Sequence, residues 1–404
     1  MKIVALGAGG MGRYAARTAV TFDFVDELVV ADRDVTAATR LAETLGPKAR
    51  AAAVDVTDEA ALLRLFSGAV VVLNTVGPFF RLGPPVLRSA ITAGCHYLDI
   101  NDDWESTEAM LAMDEEARAR GVTAVIGMGA SPGISNLLAT TALRELDVAE
   151  ELYSGFDLDA AMPETRGPQP CAATIHGVHQ LTGTIRVFDN GRFVDEPPLR
   201  RVDLDYPGLG PRTGWTMGHP EAITFPRYFS SLRRSLILMA TSRSNLVAIR
   251  VLGALVNRRL VSLERAAAWV ERLEGVGKPA KAPADYVREL LGAGAAKLPP
   301  LFAIAVGRKD TRPAAVAATV LSAPATGMGG ATGVPLAVGL AVVRPDREQK
   351  RGVFAPEAIV DPEDFFDRLA PLCDPVKNSA AALLLISRSW EPKDVRADIR
   401  SRVS

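Results

Sequence analysis

The N-terminal segment limits the fold of this chain more than any other part of the sequence. A short apolar run, Lys2–Leu6, leads directly into the glycine-rich hexapeptide GAGGMG. The residues that follow, Met11–Phe22, place alanines at helical spacing. A strand, a glycine turn and the start of a helix form the unit in which a helix N-terminus binds a dinucleotide pyrophosphate. The segment therefore predicts a Rossmann-type βαβ unit.

Each glycine of the hexapeptide has a physical role in such a unit. Gly7 permits the tight turn, Gly9 lets the backbone approach the pyrophosphate, and Gly12 allows the helix to pack closely on the strand. Gly10 and Met11 lie between them, where the first amides of the helix point toward the anion. We therefore predict that all five residues bind the cofactor.

The residues at the end of the second predicted strand bear on which dinucleotide binds. Asp32 lies 20 residues after Gly12, at the position where a carboxylate accepts both ribose hydroxyls of NAD. Arg33 follows directly and would suit the 2′-phosphate of NADP or stack on the adenine. The carboxylate favours NAD, and the arginine leaves NADP open.

Strands and helices alternate through the first third of the chain, which predicts a doubly wound parallel sheet with helices on both faces. The predicted strands are Lys2–Leu6, Leu28–Ala31, Ala51–Val54, Ala69–Asn74, His96–Ile100 and Thr123–Met128.

Beyond that point the pattern changes to an α+β region, with a hairpin turn at Asn190-Gly191 and many Pro and Gly residues over Glu196–Pro226, where we expect loops. Two predicted strands over 301–321 and helices over 246–273 complete it. We predict three regions: a Rossmann domain at 1–130, an α+β substrate and dimerisation domain at 131–350, and C-terminal helices at 351–404 that pack on the Rossmann domain.

Polar residues follow the third and fourth predicted strands. Asp55 and Val56 have the position of an adenine-ring contact, with a capping or turn role as an equal alternative for Asp55. The segment after the fourth strand lies at the carboxyl edge of the sheet, where the nicotinamide half of the cofactor belongs. Its predicted cofactor residues are Asn74, Thr75, Gly77 and Pro78.

Composition narrows the classes of partner. The 404 residues include 46 Lys+Arg and 47 Asp+Glu, a formal net charge of -1, so there is no basic surface for nucleic acid or an anionic membrane. The three cysteines, Cys95, Cys171 and Cys373, are far apart and form no CxxC motif, which fits a reducing compartment. No run reaches the ~18 apolar residues of a membrane span. We expect a cytoplasmic protein whose partners are a small-molecule substrate and a second copy of itself.

Four segments together resemble the saccharopine dehydrogenase/reductase-like family, with lysine ε-dehydrogenase-type enzymes the nearest in likeness. They are NTVGPF at 74–79, GCHYLDIND at 94–102, GMGASPGISN at 127–136 and GVFAP at 352–356. The resemblance implies an NAD(P)-dependent enzyme that oxidises an amine or reduces an imine of an amino-acid-like substrate, with a Rossmann domain and a second domain that forms a homodimer. Many relatives have Asp-Pro-Gly where this chain has Ser131-Pro132-Gly133, which puts the substrate in question.

That tripeptide precedes a predicted helix. Ser131 as its N-cap and Pro132 at the first helical position would explain the sequence structurally. The same helix start would let backbone amides bind a substrate carboxylate. The two interpretations are compatible, and we predict that Ser131, Pro132 and Gly133 bind substrate.

The residues predicted to carry protons are an acid–phenol pair and two histidines. Tyr97 and Asp99 alternate onto one face of the fifth strand near the carboxyl edge, with a core tyrosine and a capping aspartate as the alternative. His176 and His179 are spaced i, i+3, on one face of a helix, and imidazole titrates near neutral pH. Packing or a surface position is the alternative for both, and no carboxylate or third ligand nearby in sequence supports a metal site. His219 lies on a predicted loop with Glu221 and Arg227, where a ligand contact and a role in forming the turn are equal alternatives.

Two other functions remain open at this stage. One is a transferase resembling homospermidine synthase, which uses NAD catalytically and regenerates it. The other is a non-catalytic dinucleotide sensor that binds a partner protein. A net change in reduced nicotinamide would distinguish the dehydrogenase from both.

Overall fold

The computed structural model describes residues 1–160, 172–274, 298–324, 327–344, 347 and 350–390. It divides into two compact units. The first contains Met1–Ile134 and Pro324–Leu372, and the second contains Ser135–Ala323 and the chain from Cys373 onward.

The first unit is an alternating α/β structure, with elements numbered along the whole chain. Its strands are β1 (Lys2–Leu6), β2 (Glu27–Asp32), β3 (Ala49–Ala53), β4 (Val71–Asn74), β5 (His96–Asp99), β6 (Thr123–Val125) and β15 (Gly352–Phe354). Its helices are α1 (Gly10–Ala19), α2 (Val35–Leu45), α3 (Glu59–Phe66), α4 (Phe79–Thr92), α5 (Trp104–Leu111), α6 (Asp114–Ala119), α12 (Gly327–Val343) and α13 (Pro362–Leu369).

These strands form one parallel sheet in the order β15-β6-β5-β4-β1-β2-β3. The central strands are buried on both faces, which is why their sequences are continuous apolar runs. The strand order reverses beside β1, between β2 and β4, and ligands of open α/β sheets bind at the carboxyl ends of the strands at such a point. The predicted doubly wound fold is confirmed.

A late segment of the chain completes this unit. Helix α12 packs along α1 so closely that a Cβ on Gly333 would meet the backbone of Met11. Strand β15 then adds to the sheet edge beside β6. The first unit therefore takes in residues 324–372, which lie outside the predicted Rossmann domain at 1–130 and partly within the C-terminal helices predicted at 351–404.

The second unit is built on a mixed sheet. Its strands are β7 (Val148–Asp157), β8 (Ile185–Asp189), β9 (Arg192–Glu196), β10 (Arg201–Tyr206), β11 (Gly210–Thr216), β12 (Arg234–Ala240), β13 (Leu301–Lys309), β14 (Arg312–Val320) and β16 (Leu384–Ser389). Its helices are α7 (Ile134–Arg144, whose first residue belongs to the first unit), α8 (Ala172–Gln180), α9 (Glu221–Tyr228), α10 (Arg243–Asn257), α11 (Leu263–Glu274) and α14 (Ala380–Leu383).

This sheet curls back on itself. Its main path runs β10-β11-β12-β7-β13-β14-β16, and the turn at Gly208 between β10 and β11 approaches Ser387 of β16. Tyr206 packs edge-to-face on Phe302, with ring centroids 6.2 Å apart, inside the curl. The two terminal strands of the path therefore cover part of the core between them.

Two sequence predictions for this unit were wrong. The segment over 196–226, predicted as loops from its Gly and Pro residues, contains strands β10 and β11 and helix α9 as well as loops. Many of these Gly and Pro residues lie at strand ends, and alternating apolar residues form β10. The apolar run after Ser379 turns from a short helix into β16, which pairs with β14.

The Asn190-Gly191 hairpin is confirmed, with φ of 52° and 77°. Among the helices that the structure describes, none has both the length and the apolar character that a membrane span requires.

Candidate functional site

The glycine-rich loop joins β1 to α1 in a backbone conformation that depends on glycine. Gly7 has a φ of +98° and donates its N–H to the carbonyl of Ala31 at 2.9 Å. A Cβ on Gly12 would collide with the Gly7 carbonyl oxygen, whereas a Cβ on Gly9 would meet nothing within 4 Å. Gly9 is also exposed. Gly7 and Gly12 thus shape the loop, and Gly9 keeps open the space above it.

The start of α1 offers amides to an anion. The first helical hydrogen bond runs from Arg13 N–H to the Gly9 carbonyl at 3.1 Å, so the amides of Gly10, Met11 and Gly12 have no acceptor within the helix. The first turn carries no acidic residue. An open space over Gly9 beside this helix start fits a dinucleotide pyrophosphate.

Asp32 ends β2 next to this loop, as predicted. Its Oδ2 accepts the Ala8 N–H at 2.8 Å and its Oδ1 accepts the Asp34 N–H at 2.9 Å. The carboxylate therefore helps to hold the glycine loop itself, and it is half-buried beside the exposed Arg33. Contact of Asp32 or Arg33 with a cofactor ribose stays a prediction.

Asp55 occupies a turn after β3 and is exposed. Its Oδ1 accepts the Thr57 N–H at 2.9 Å and the Thr57 hydroxyl at 2.7 Å, and these hydrogen bonds lower the pKa of Asp55. The turn role that the sequence allowed is present. Val56 beside it packs against the core of the first unit, and a contact of either residue with adenine stays a prediction.

The segment after β4 lies directly under the glycine loop. Thr75 donates its hydroxyl to the Leu6 carbonyl at 2.8 Å, and a Cβ on Gly12 would lie 2.6 Å from Thr75 Oγ1. Gly77 and Pro78 continue the segment half-buried, and α4 begins at Phe79. Two separate parts of the predicted cofactor site are therefore in contact at Thr75.

A chain of buried hydrogen bonds connects the carboxyl ends of β4, β5 and β6. Asn74 Nδ2 donates to the Tyr97 hydroxyl at 2.9 Å, and that hydroxyl donates to Asp99 Oδ2 at 2.9 Å. Asp99 Oδ1 accepts the N–H groups of Asn101 at 3.0 Å and Gly127 at 2.7 Å. Burial raises the pKa of Asp99 to about 7 and that of Tyr97 well above its usual value.

The shared face predicted for Tyr97 and Asp99 is present, but both side chains are 0% exposed. Of the two positions that the sequence allows, at the open carboxyl edge or in the core, the structure has the buried one, inside the first unit. The alternation of side chains along β5 predicts their shared face correctly. Their burial involves the loops after β5 and β6, which supply the N–H groups of Asn101 and Gly127, and the pattern of one strand does not indicate such loops. Direct contact of either residue with a substrate stays a prediction.

The tripeptide Ser131-Pro132-Gly133 lies in a tight turn before α7. Gly129 N–H donates to the Pro132 carbonyl at 2.8 Å, and Ile134 N–H donates to the Gly129 carbonyl at 3.0 Å. Because α7 begins at Ile134, the N-cap role proposed for Ser131 and the first helical position proposed for Pro132 are wrong. Gly133 has a φ of +120°, which closes the turn. Substrate binding by the three residues stays a prediction.

In the second unit, the histidines lie around the end of α8. His176 and His179 share this predicted helix, the former 3% exposed and the latter half-buried. The Gln180 carbonyl at the helix end accepts the Gly218 N–H at 2.9 Å, which brings the segment of His219 alongside.

His219 belongs to a buried acid network that the sequence only hinted at. Its Nδ1 contacts Glu221 Oε2, and Ser135 donates its hydroxyl to Glu221 Oε1 at 2.6 Å. All three side chains are at most 2% exposed. The short spacing of His219 and Glu221 was a visible signal, whereas Ser135 is distant in sequence and could not be linked to them without the fold.

The cysteines contribute no visible reactive group. Cys95 and Cys373 are buried free thiols, and burial raises the pKa of each to about 11. Both therefore stay protonated at neutral pH, as expected for packed small apolar residues. Cys171 lies outside the described residues.

Comparison with known proteins identifies the first unit. Residues 3–125 match the family profile described as "Saccharopine dehydrogenase NADP binding domain". Residues 3–125 therefore form a nicotinamide-binding domain of the saccharopine dehydrogenase type. This confirms the resemblance drawn from the sequence motifs, and it establishes a nicotinamide dinucleotide as the cofactor without deciding between NAD and NADP.

Curated relatives are similar to a longer part of the chain. The chain is 24% identical over 282 residues to carboxyaminopropylagmatine dehydrogenase of Synechocystis sp., a match that covers 65% of this chain and 68% of that protein. It is 22% identical over 271 residues to carboxynorspermidine synthase of Vibrio cholerae, covering 58% of this chain and 61% of that protein.

A solved structure supports the fold. Saccharopine dehydrogenase (L-Glu forming) from Saccharomyces cerevisiae aligns with a TM-score of 0.59 at 15% identity, over 96% of this chain and 99% of that one. At this identity the likeness concerns the fold, in which a parallel sheet with helices is followed by a mixed sheet.

Proposed function

We propose that this protein oxidises the C–N bond of an amine that bears a carboxyl group, or reduces the corresponding imine. The observation that carries the proposal is the open space over Gly9, next to the amides at the start of α1 and to the segment Asn74–Pro78. The names of the two curated relatives both denote an amine carrying a carboxy group, which supports the substrate class.

In the oxidative direction, the carbon bearing the nitrogen loses a hydride and the nitrogen loses a proton, which leaves a C=N bond. Water then converts this bond to a carbonyl and a free amine. The bound dinucleotide supplies the hydride acceptor. The chain has to hold it in place through the glycine loop and Asp32, and it has to take up the proton.

The proton carrier that we propose is one of the histidines near the end of α8, with His179 and His176 as the primary candidates. His219 joins them because Glu221 contacts its Nδ1, which orients the ring and stabilises its protonated form. Ser131, Pro132 and Gly133 remain the residues that we propose for the substrate carboxylate.

A turnover assay tests the function. The protein is incubated with NAD or NADP and a panel of amino acids and carboxylated polyamines, and with reduced cofactor plus pairs of amines and carbonyl compounds. We expect a change in reduced-nicotinamide absorbance for one substrate class, and none with Gly9→Val.

Formation of a coupled amine without net cofactor change would instead favour the homospermidine synthase-like alternative. Tight cofactor binding with no turnover over the whole panel would favour a sensor.

We also propose a homodimer formed through the second unit, on the strength of the family resemblance. Sedimentation at micromolar concentration should give twice the chain mass of 42.9 kDa. A monomer would contradict this.

A further inference from the structure

The hydrogen bonds around Asp99 all run in one direction. Tyr97 and two backbone amides donate to its carboxylate, and Asn74 Nδ2 donates to Tyr97. Asn74 Oδ1 in turn accepts the Val76 N–H at 2.9 Å. Asn74 Nδ2 thus faces the Tyr97 oxygen, and Asp99 Oδ2 accepts the Tyr97 proton, a role that requires an ionised Asp99.

Protonating Asp99 would reverse part of this order. The proton has to sit on Oδ2, because Oδ1 faces two N–H donors. Asp99 would then donate to the Tyr97 oxygen, and the Tyr97 proton would need another acceptor. Rotation of the Asn74 amide would provide its oxygen, at the cost of the hydrogen bond to Val76.

Val76 lies between the hydrogen bonds of Asp99, Tyr97 and Asn74 and the glycine-rich loop. A Cβ on Gly7 would lie 3.4 Å from a methyl group of Val76 and 2.5 Å from Thr75 Oγ1. The segment is thus packed under the turn of the glycine loop, so its displacement would act on both halves of the predicted cofactor site.

We propose that Asp99, Tyr97 and Asn74 are positioning residues that hold the Thr75–Pro78 segment in its cofactor-binding conformation only while Asp99 is ionised, so that dinucleotide affinity rises with pH. The proposal rests on the proposed function in one respect, namely that this segment contacts the nicotinamide half of the cofactor.

The surroundings of Asp99 suit such a switch near neutral pH. Burial raises the pKa of Asp99 to about 7, against the lowering effect of its hydrogen bonds, and the nearby Asp102 carboxylate raises it further. The other neighbours add little charge.

Helix α12, which packs on β5, contains no charged residue, and neither β4 nor β6 contains one. The arginines of α4, Arg81 and Arg88, are exposed. Asp103 is the remaining buried carboxylate in the loop after β5, where its Oδ2 accepts the Phe80 N–H at 2.9 Å. No cation therefore faces Asp99 from these elements.

Two measurements test the proposal, one of them independent of cofactor. Hydrogen exchange of peptides covering 71–80, corrected for intrinsic exchange, should show protection that rises from about pH 6 to about pH 8. Calorimetric titration with NAD should show affinity rising about tenfold over the same range. NAD is the probe because it lacks the 2′-phosphate of NADP, which would itself titrate there.

The decisive variant is Tyr97→Phe, which keeps the aromatic ring and removes the hydroxyl that links Asn74 to Asp99 by hydrogen bonds. Its protection and its NAD affinity should both be low and independent of pH. Asp99→Asn, which presents a donor to Tyr97 at every pH, should behave in the same way and serves as the second variant.

Tyr153→Phe is the matched control, since Tyr153 is equally buried and donates to Glu151 Oε2 at 2.7 Å in the second unit. It should keep the wild-type pH profile.

Wild-type protection that does not change with pH would overturn the proposal, as would a Tyr97→Phe variant with the wild-type profile. Protection that changes with pH while NAD affinity does not would retain the switch and refute its effect on the cofactor. Failure of turnover in the substrate assay would leave both measurements unaffected, so the two proposals fail separately.

Discussion

Each unit of this protein buries a carboxylate network, and the two differ in the partners of the carboxylate. Asp99 in the first unit is bonded to backbone amides and to a phenol, so its charge state acts on the conformation of loops. Glu221 in the second unit is bonded to the side chains of His219 and Ser135, so its charge acts on an imidazole. The first arrangement is suited to positioning a ligand, and the second to holding a proton.

The largest effect should come from the cofactor loop of the first unit. Gly9→Val should weaken NAD binding at least ~100-fold, since the side chain fills the space that the pyrophosphate needs. Because a Cβ there meets no protein atom, the thermal unfolding of the variant should match wild type. Calorimetric titration measures the NAD affinity. Unchanged affinity in a folded variant would refute pyrophosphate binding over Gly9.

Gly12→Ala is the contrasting variant in the same loop. Its Cβ would collide with the Gly7 backbone, so this variant should lose stability as well as binding.

The histidines of the second unit should affect turnover and leave binding intact. His179→Ala should lower kcat about 100-fold, the usual loss when an acid–base group is removed, without changing NAD affinity. Steady-state kinetics and calorimetry on one preparation separate the two quantities. If His179→Ala and His176→Ala keep full activity and His219→Ala loses it, the proton carrier is His219, which contacts Glu221.

A stability comparison distinguishes the networks directly. Ser135→Ala should lower the free energy of unfolding by about 2 kcal/mol, because it removes a hydrogen bond to a buried carboxylate. Its NAD affinity and pH profile should equal those of wild type. Denaturant unfolding gives the first value, and a pH profile of NAD binding altered as in Tyr97→Phe would show that the two networks are not independent.

The pH dependence of stability has a sign that follows from Asp99. Its pKa in the folded protein, about 7, is above the ordinary value of 3.8, so the folded state binds more protons than the unfolded state between these values. Stability therefore falls as pH rises through this window, by up to about 1.4 kcal/mol per pH unit, because Asp99 ionises in the unfolded state while it stays protonated in the fold.

Asp99→Asn should remove this contribution. The stability of the variant relative to wild type should rise between about pH 4 and about pH 7. Urea unfolding at several pH values measures it, and parallel curves for the two proteins would contradict the burial of an ionisable Asp99.

The smallest effect concerns the choice of dinucleotide. Asp32→Ala should weaken NAD binding about tenfold through loss of the ribose contact, and NADP binding less. Because Asp32 also holds the Ala8 amide, some loss for both cofactors is expected. Asp32→Asn, which keeps an acceptor, provides the control. Equal losses for NAD and NADP would assign selectivity to Arg33.

Much of the first unit could be predicted from sequence, because each of its features is local. The strand before GAGGMG, the glycines and the acidic end of β2 lie within 32 residues, and all are found where the sequence placed them. The contribution of α12 and β15 could not be predicted, since nothing in Gly327–Val343 indicates which helix it packs on. The same holds for the carboxylate networks, which join residues such as Ser135 and Glu221 across long separations.

The β content of the second unit was underestimated for a related reason. Gly and Pro lie at the ends of strands β10 and β11. Their stability comes from pairing with each other and with β12, which local propensity does not record.

The position of the dinucleotide is the central claim, and a crystal structure of the protein with NAD tests it most directly. We expect the pyrophosphate within hydrogen-bond reach of the amides at Gly10–Gly12, the ribose hydroxyls at Asp32 and the nicotinamide beside Asn74–Pro78. A dinucleotide bound with its pyrophosphate away from the glycine loop, or with its nicotinamide turned away from the end of β4, would contradict the account.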